Sequence, residues 1–405
     1  MEVLYPRCCE LDVHRDSVWA CLKTPDGTEL RKFGTTTKQI RDLANWLVRR
    51  ECPRAAIEST GSYWKPIYNV LELTSIRVEV INATHIKIVP GRKSDTKDAE
   101  WICDVYRHGL VRGSFIPDRP MRELRELVRY RRSLIGDRSS EINRIHKVLE
   151  GANIKLSSVV HDILGVSGRA MLEAIVRGET DPEVIAAQVR TSLRASPEDI
   201  REAVEGFVEA HQREMLTTQL ERVDMLKMRI SALEDQIEAR LAPAEAVVDH
   251  LDGIPGVGRL TAQEILASIG TDMSRFPSAA HLASWAKLCP SLNESAGKRR
   301  SSRTGKAGPF LRATLVEAAQ AAARTKDTYL RSQYYRLKAK RGANRATVAV
   351  AHSILVIAYH IIRDGTEYRE LGGQYLESKN KEALTRHHVR SLERLGLTVT
   401  IGSAA

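Results

Sequence analysis

Apolar positions in the first 110 residues recur with a period of two and then with a period of 3.6. Arg7–Val13 and Ser17–Lys23 are short alternating runs, and a Pro25-Asp26-Gly27 turn leads to a third near Glu29–Phe33. Alternation broken by turn residues predicts a three-stranded meander. Thr37–Arg50 then carries Ile40, Leu43 and Leu47 at helical spacing, and Arg54–Ile57 reads as a short buried strand. A helix over Trp64–Leu73, a strand over Arg77–Ile81 and a helix over Thr96–His108 complete the region. The order β-β-β-α-β-α-β-α predicts a mixed sheet with helices packed on it.

Beyond residue 118 the pattern turns helical. Leu124, Leu127, Ile135, Ile142, Ile145 and Leu149 mark one long helix over 119–150, stopped by Gly151. A shorter helical region follows, and Ser196-Pro197-Glu198-Asp199 supplies a cap, an initial proline and early acids. The helix it opens is predicted to run to Leu241, through Leu216, Leu220, Val223, Ile230, Leu233 and Ile237, before Pro243. Two long helices around a small insert predict a coiled coil, either an arm between subunits or a hairpin within one chain. Gly253-Ile254-Pro255-Gly256-Val257-Gly258 before helical Leu260–Ile269 reads as a helix-hairpin-helix turn. Its Gly256 and Gly258 would offer backbone N–H groups to a phosphate, or simply make a tight turn. Pro290–Pro309 reads as a basic Gly/Ser-rich loop, followed by helices over Phe310–Thr325 and Ala346–Arg363 and a polar tail. The expected class is α/β plus all-α, with domains over 1–112, 113–245, 246–365 and 366–405.

Charge adds a partner. The 405 residues hold 62 Lys+Arg against 51 Asp+Glu, a net charge of +11, while 42% apolar and 28% charged content excludes a disordered or fibrous chain. The excess is clustered. Residues 119–148 carry nine basic residues against four acids, and Gly297–Arg312 carries six against none. Arg324–Arg345 carries eight against Asp327 alone. Such clusters suit a polyanion, or else are solvated helix faces. Tyr334-Tyr335 among Arg331, Arg336 and Lys338 reads as a base-stacking pair or as core packing. No stretch approaches 18 uninterrupted apolar residues, and the N-terminus lacks the basic-then-apolar order of a signal peptide. A cytoplasmic protein with no membrane partner is expected. Six cysteines without a CxxC pair fit reduced, mostly buried thiols.

Four acids stand where chemistry would need them. Asp12 ends the first strand before His14-Arg15, and Glu58 ends the fourth before Ser59-Thr60-Gly61. Asp95 and Asp98 open a helix three residues apart, hence on one face. With strand one beside strand four, all four would converge on one sheet edge. There, divalent ions such as Mg²⁺ would polarise a scissile phosphate and activate a hydroxyl or water. Taken singly, each acid reads equally as a surface residue or a helix cap.

LDVHRDSV, AIESTGSYW and GRKSDTKDAEW, in this order, resemble the RuvC-like (ribonuclease H-like) domain of the DEDD-type insertion-sequence transposases, the bridge-RNA-guided recombinase family. IPGVGRLTA, KLCPSLNESAGKRR and GKAGPFLRATL resemble the serine-bearing C-terminal transposase domain of that family. The resemblance covers residues 5–365. It departs at Cys9-Glu10-Leu11, where a glycine usually precedes the aspartate, and at Ala296, which replaces a glycine. It implies Mg²⁺ on Asp12, Glu58, Asp95 and Asp98, and Ser295 as nucleophile. Lys298, Arg299, Arg300, Arg303, Lys306 and Arg312 would hold phosphates around that serine. The implied reaction passes through a 5′-phosphoserine, in a site composed from both domains across subunits. The implied partners are DNA (element ends and target) and a structured noncoding guide RNA, with the basic 119–148 helix and the N-terminal domain as RNA-contact candidates. A homodimer pairing into a tetramer on DNA, nucleoid-associated, completes the implied picture. Two alternatives stay open: a RuvC-like junction nuclease, needing the carboxylates but not Ser295, and a noncatalytic nucleic-acid-binding scaffold.

Overall fold

Alternation builds the first unit, Met1–Pro117. Strands β1 (Cys8–Val13), β2 (Ser17–Thr24) and β3 (Gly27–Gly34) form an antiparallel meander, and β4 (Arg54–Glu58) and β5 (Arg77–Ile81) add parallel strands. The sheet order is β3-β2-β1-β4-β5, so β1 lies beside β4. Every residue of the central β1 is buried. Its odd positions Cys9, Leu11 and Val13 pack with helices α1 (Thr37–Arg49) and α2 (Trp64–Leu71) on one face. Cys8 joins Cys21, Ala56, Ala99 and Cys103 on the other face, under helix α3 (Asp95–Arg107). The strand period of two thus feeds two separate apolar layers.

The computed structural model describes residues 2–59, 61–81, 95–111, 113–191, 193–290, 293–295, 298–301, 304, 309–379 and 381–400. The side chains of 95–98, 293–301, 309, 377, 381–384 and 387 lie outside that description.

Among the described residues, the regular elements of the second unit, Asp118–Ala405, are helices and one hairpin. Asp118 accepts the Met121 N–H and Pro120 sits in the first turn, starting α4 (Arg119–Gly151). Short helices α5 (Leu156–Val159), α6 (Val166–Val176), α7 (Pro182–Ala186) and α8 (Pro197–Val204) lead to α9 (Ala210–Leu241). The two long helices run antiparallel within the chain. Ile145 and Leu149 cluster with Leu216, Leu220 and Val223, and Leu134 clusters with Leu226, Ile230 and Leu233. Their apolar stripes are therefore buried against each other.

The helix expected from Pro197 to Leu241 is two helices. Between them Gly206 presses on the Ala152 carbonyl, which a Cβ would approach to 2.4 Å, and Phe207 N–H donates to the same oxygen at 2.8 Å. Tertiary contact with the end of α4 overrides helical propensity there.

The chain continues with α10 (Glu245–Asp252), α11 (Arg259–Ile269), α12 (Ala279–Trp285), β6 (Asn293–Ser295), β7 (Lys298–Ser301), α13 (Pro309–Ala322), α14 (Tyr329–Arg341), α15 (Ala343–Asp364), α16 (Tyr375–Ser378) and α17 (Lys381–Glu393). The stretch expected as a loop, Pro290–Pro309, thus holds a short hairpin, and α14 arises where no helix was expected. Helix α15 is long and apolar enough to cross a membrane by length and composition. It packs on α12, α13 and α14 and buries Val350, Ile354 and Leu355, which makes it the core helix of this unit. Five of the six free cysteines are buried.

Candidate active site

Strand alternation places Glu10 and Asp12 on the α3 face of β1, with Cys8. Glu10 is fully buried and Asp12 is 8% exposed at the strand's carboxyl end. The parallel register pairs Leu11 with Ile57, so the next step sets Asp12 beside Glu58. Ala56 lies on the α3 face, so Glu58, two residues on, faces the same way. Carboxyl ends of parallel strands are where ligands gather in α/β sheets. His14 Nε2 lies 3.1 Å from Asp12 Oδ2 across the turn that ends β1, fixing the rotamer of the carboxylate.

Helix α3 runs antiparallel to β1 above this face. At its end, the Leu4 and Tyr5 N–H groups donate to the Arg107 carbonyl at 3.1 and 3.0 Å. Lys23, paired with Cys8 in the β1–β2 register, meets Asp104 at 2.5 Å. One residue earlier, Cys103 Sγ donates to the Cys21 carbonyl at 3.3 Å and the Cys8 carbonyl at 3.9 Å. From Cys103 back to Asp95 the helix rises about 12 Å, and from Cys8 to Asp12 the strand advances about 13 Å. The first turn of α3, with Asp95 and Asp98 in it, therefore comes level with Asp12 and Glu58. The side chains of Asp95 and Asp98 lie outside the described residues. Among the described residues no three His, Cys, Asp or Glu side chains form a metal cluster by themselves.

Cys103 beneath this face and Cys52 on the opposite face are chemically quiet. Hydrogen bonds with Cys21 and Cys8, reinforced by burial, push the Cys103 thiol far up. Burial pushes Cys52 up to about 11. Neither supplies a thiolate near neutral pH.

In the second unit, Ser295 closes β6 and pairs with Lys298 at the start of β7, while Glu294 pairs with Arg299 and Arg300 follows on β7. Arg303 and Lys306 lie outside the described residues, and Arg312 is half-buried near the start of α13. The hairpin thus sets the serine and the basic residues on adjoining strands.

The glycine turn divides. Gly256 has φ +84° and backs onto α13, where a Cβ would meet the Ala318 carbonyl at 2.3 Å and the Ala322 nitrogen at 2.4 Å. Its lack of a side chain serves close helix approach. Gly258 is exposed at the N-terminus of α11 with open space around it. The neighbouring Arg259 bonds Glu238, Glu245 and Asp249 at 3.2, 2.6 and 3.3 Å. An anion at this terminus would meet three carboxylates balanced by one guanidinium.

Sequence reasoning missed two things here. The His14–Asp12 bond was signalled only by an i, i+2 spacing across a turn. The inward arginines of α4 carried no local signal. Arg125 Nε donates to the Ala267 carbonyl at 3.0 Å, and burial holds its pKa down to about 10. Arg131 Nη1 donates to Gln263 Oε1 at 2.5 Å, and Arg132 to Glu264 at 2.7 Å and Thr314 at 3.0 Å.

Comparison with known proteins agrees in both units. Residues 9–154 match a DEDD-type IS110 family described as Transposase, and residues 248–336 match the Transposase IS116/IS110/IS902 family. The Insertion element IS110 uncharacterized 43.6 kDa protein of Streptomyces coelicolor is 35% identical over 146 residues, 34% of either chain, so that match spans about a third of the relative. The Transposase for insertion sequence element IS1111A of Coxiella burnetii is 25% identical over 316 residues, 76% of this chain and 77% of the other. Two matched segments in chain order, together more than half of the sequence, make this chain a member of the IS110 family of insertion-sequence transposases.

Proposed function

We propose that the chain is the DNA transposase/recombinase of an insertion sequence, cutting and rejoining DNA through a phosphoserine on Ser295, with Mg²⁺ on Asp12, Glu58, Asp95 and Asp98. The observation that carries this reading is the register that sets Glu58 beside Asp12 at the carboxyl ends of β1 and β4. The antiparallel-then-parallel order β3-β2-β1-β4-β5, with helices on both faces, supports a ribonuclease H-like reading of the first unit.

The residues fit the cation. Asp12, Glu58, Asp95 and Asp98 offer only carboxylate oxygens, the donor set of a hard divalent ion. Bound there, Mg²⁺ would offset charge on the scissile phosphate. The chain's own groups do the rest. His14 holds the Asp12 carboxylate in one rotamer, and Lys298, Arg299 and Arg300 supply positive charge beside the serine. Ser295 Oγ bonds to phosphorus as the bond from phosphorus to the 3′-oxygen breaks. The serine proton ends on that departing oxygen, leaving a 5′-phosphoserine and a free 3′-hydroxyl. Attack by a different 3′-hydroxyl reverses the step and joins new ends.

Family membership supports extending the reading to its partners. An element-encoded bridge RNA would pair with donor and target and so choose the sequence, while the protein holds backbone and shape. A dimer that pairs into a tetramer on DNA would bring two reacting strands together, with serine and carboxylates contributed by different subunits.

The test is a search for covalent protein–DNA adducts in cells carrying the gene with its flanking DNA. Wild type should give an adduct on denaturation that Ser295→Ala and Asp98→Asn both lack. Mg²⁺-dependent nicks with free ends and no adduct would replace this reading with the junction nuclease. Normal recombination by both variants would sink the assignment of the site.

A further inference from the structure

Helix α14 presents a face that the described residues leave partly open. Its inner side is set by Leu330, which is buried, and by Gln333, whose Nε2 donates to Ser353 Oγ on α15 at 2.9 Å. Beside them, Arg331, Tyr334, Tyr335, Lys338 and Arg341 recur at three- and four-residue steps, one stripe of a helix in which Tyr335, Lys338 and Arg341 are exposed. Tyr335 is 48% exposed. Its ring meets Tyr334 edge-on, centroids 5.2 Å apart at 86°. Arg331 and Lys338 lie 5.3 and 5.6 Å from the Tyr335 centroid.

The thirteen residues of α14 hold five cations and no acid. Among the described residues none of the five meets a carboxylate, and Arg331 instead donates to the Arg324 carbonyl at 3.4 Å. Lys338, Lys340 and Arg341 at the helix end are favoured by its dipole, which accounts for three of the charges. It accounts for neither Arg331 nor a tyrosine ring left half in water between two cations. An exposed ring flanked by unpaired cations is the composition of a surface that stacks an unpaired base and holds the phosphates on either side. A duplex, whose bases are already stacked, would use the charges and leave the ring idle.

We propose that the outer face of α14 binds single-stranded DNA, with Tyr335 as the stacking platform and Arg331, Lys338 and Arg341 on the backbone. Strand exchange exposes such unpaired DNA, so the proposal rests on the reading of the chain as acting on DNA, but not on which groups do the chemistry. A base arriving on Tyr335 takes the ring face from Arg331 or Lys338, and the released cation moves to the adjoining phosphate.

The test uses the full-length chain and fluorescence anisotropy of a labelled oligodeoxythymidylate, a hairpin duplex of equal length and an oligouridylate. Tyr335→Ala should weaken the single-stranded DNA by about fivefold or more and leave the duplex within about twofold. Tyr335→Trp should keep the affinity, and its added indole fluorescence should be quenched as the single strand is titrated in. Equal losses on single strand and duplex, no loss on either, or an unquenched indole would each overturn the proposal. So would tighter binding of the oligouridylate with the same dependence on Tyr335, which would assign the face to RNA. Asp12→Asn, which removes the proposed cleavage, should leave this binding intact, so the two readings fail separately.

Discussion

Helices α4 and α14 have nearly the same signature in sequence, a dense run of arginine and lysine, and opposite fates in the fold. On α4, Arg125, Arg131 and Arg132 turn inward to carbonyls, Gln263, Glu264, Thr314 and Glu317 on α11 and α13. On α14 the cations stay at the surface around an exposed tyrosine. The difference lies in what each helix must bury. Helix α4 carries a complete apolar stripe and is wrapped on two sides, so its arginines must find acceptors or suffer desolvation unpaired. Helix α14 has one buried edge and leaves its charges in water. A basic run therefore marks a nucleic-acid surface only when no acceptors are supplied from elsewhere in the chain. That rule narrows the RNA-contact candidates on α4 to its outward residues.

The largest expected effect is on the inward set. Arg132→Ala leaves Glu264 buried with Thr314 alone and should cost about 3 kcal/mol of stability in chemical denaturation. A full loss of DNA affinity with unchanged stability would instead put Arg132 at a phosphate and break the contrast. Arg131→Ala should cost about 2 kcal/mol through lost packing and an unpaired Gln263 side chain, with Arg131→Met recovering part of it. A double-mutant cycle between Arg132 and Glu264 should give a coupling of about 1–2 kcal/mol, and zero coupling would show the pair to be incidental. At the small end, Lys338→Ala with Arg341→Ala should leave stability within about 0.5 kcal/mol. The same double variant should flatten the salt dependence of DNA binding by about one log unit per lost phosphate contact. An unchanged slope would mean those two cations never touch the backbone.

Much of the first unit was legible because its signals are local. Alternation in β1 and β2, the turn before β3 and the helical spacing of Ile40, Leu43 and Leu47 each fix an element without distant help. Asp12 and Glu58 could be picked out because both end strands, although only the β1–β4 register makes them neighbours. The rest depended on contacts that no local window contains. Gly206 breaks a helix because the Ala152 carbonyl lies against it, and Gly256 turns toward α13 rather than toward a ligand. Helix α14 escaped notice because its inner edge is too narrow to impose a clear apolar period, and only Thr328 capping Arg331 N–H marks its start.

The pairing of Arg132 with Glu317 spans 185 residues of sequence. A ribosome adding about 5–20 residues each second needs roughly 10–40 s to cover that distance. The first unit can close its sheet as soon as its own residues have emerged. Early in that interval α4 waits outside the tunnel, its apolar side bare until α9 emerges and its arginines without acceptors until α11 and then α13 follow. Slow codons placed between residues 150 and 317 should therefore raise the insoluble fraction of this protein more than the same codons placed before residue 117.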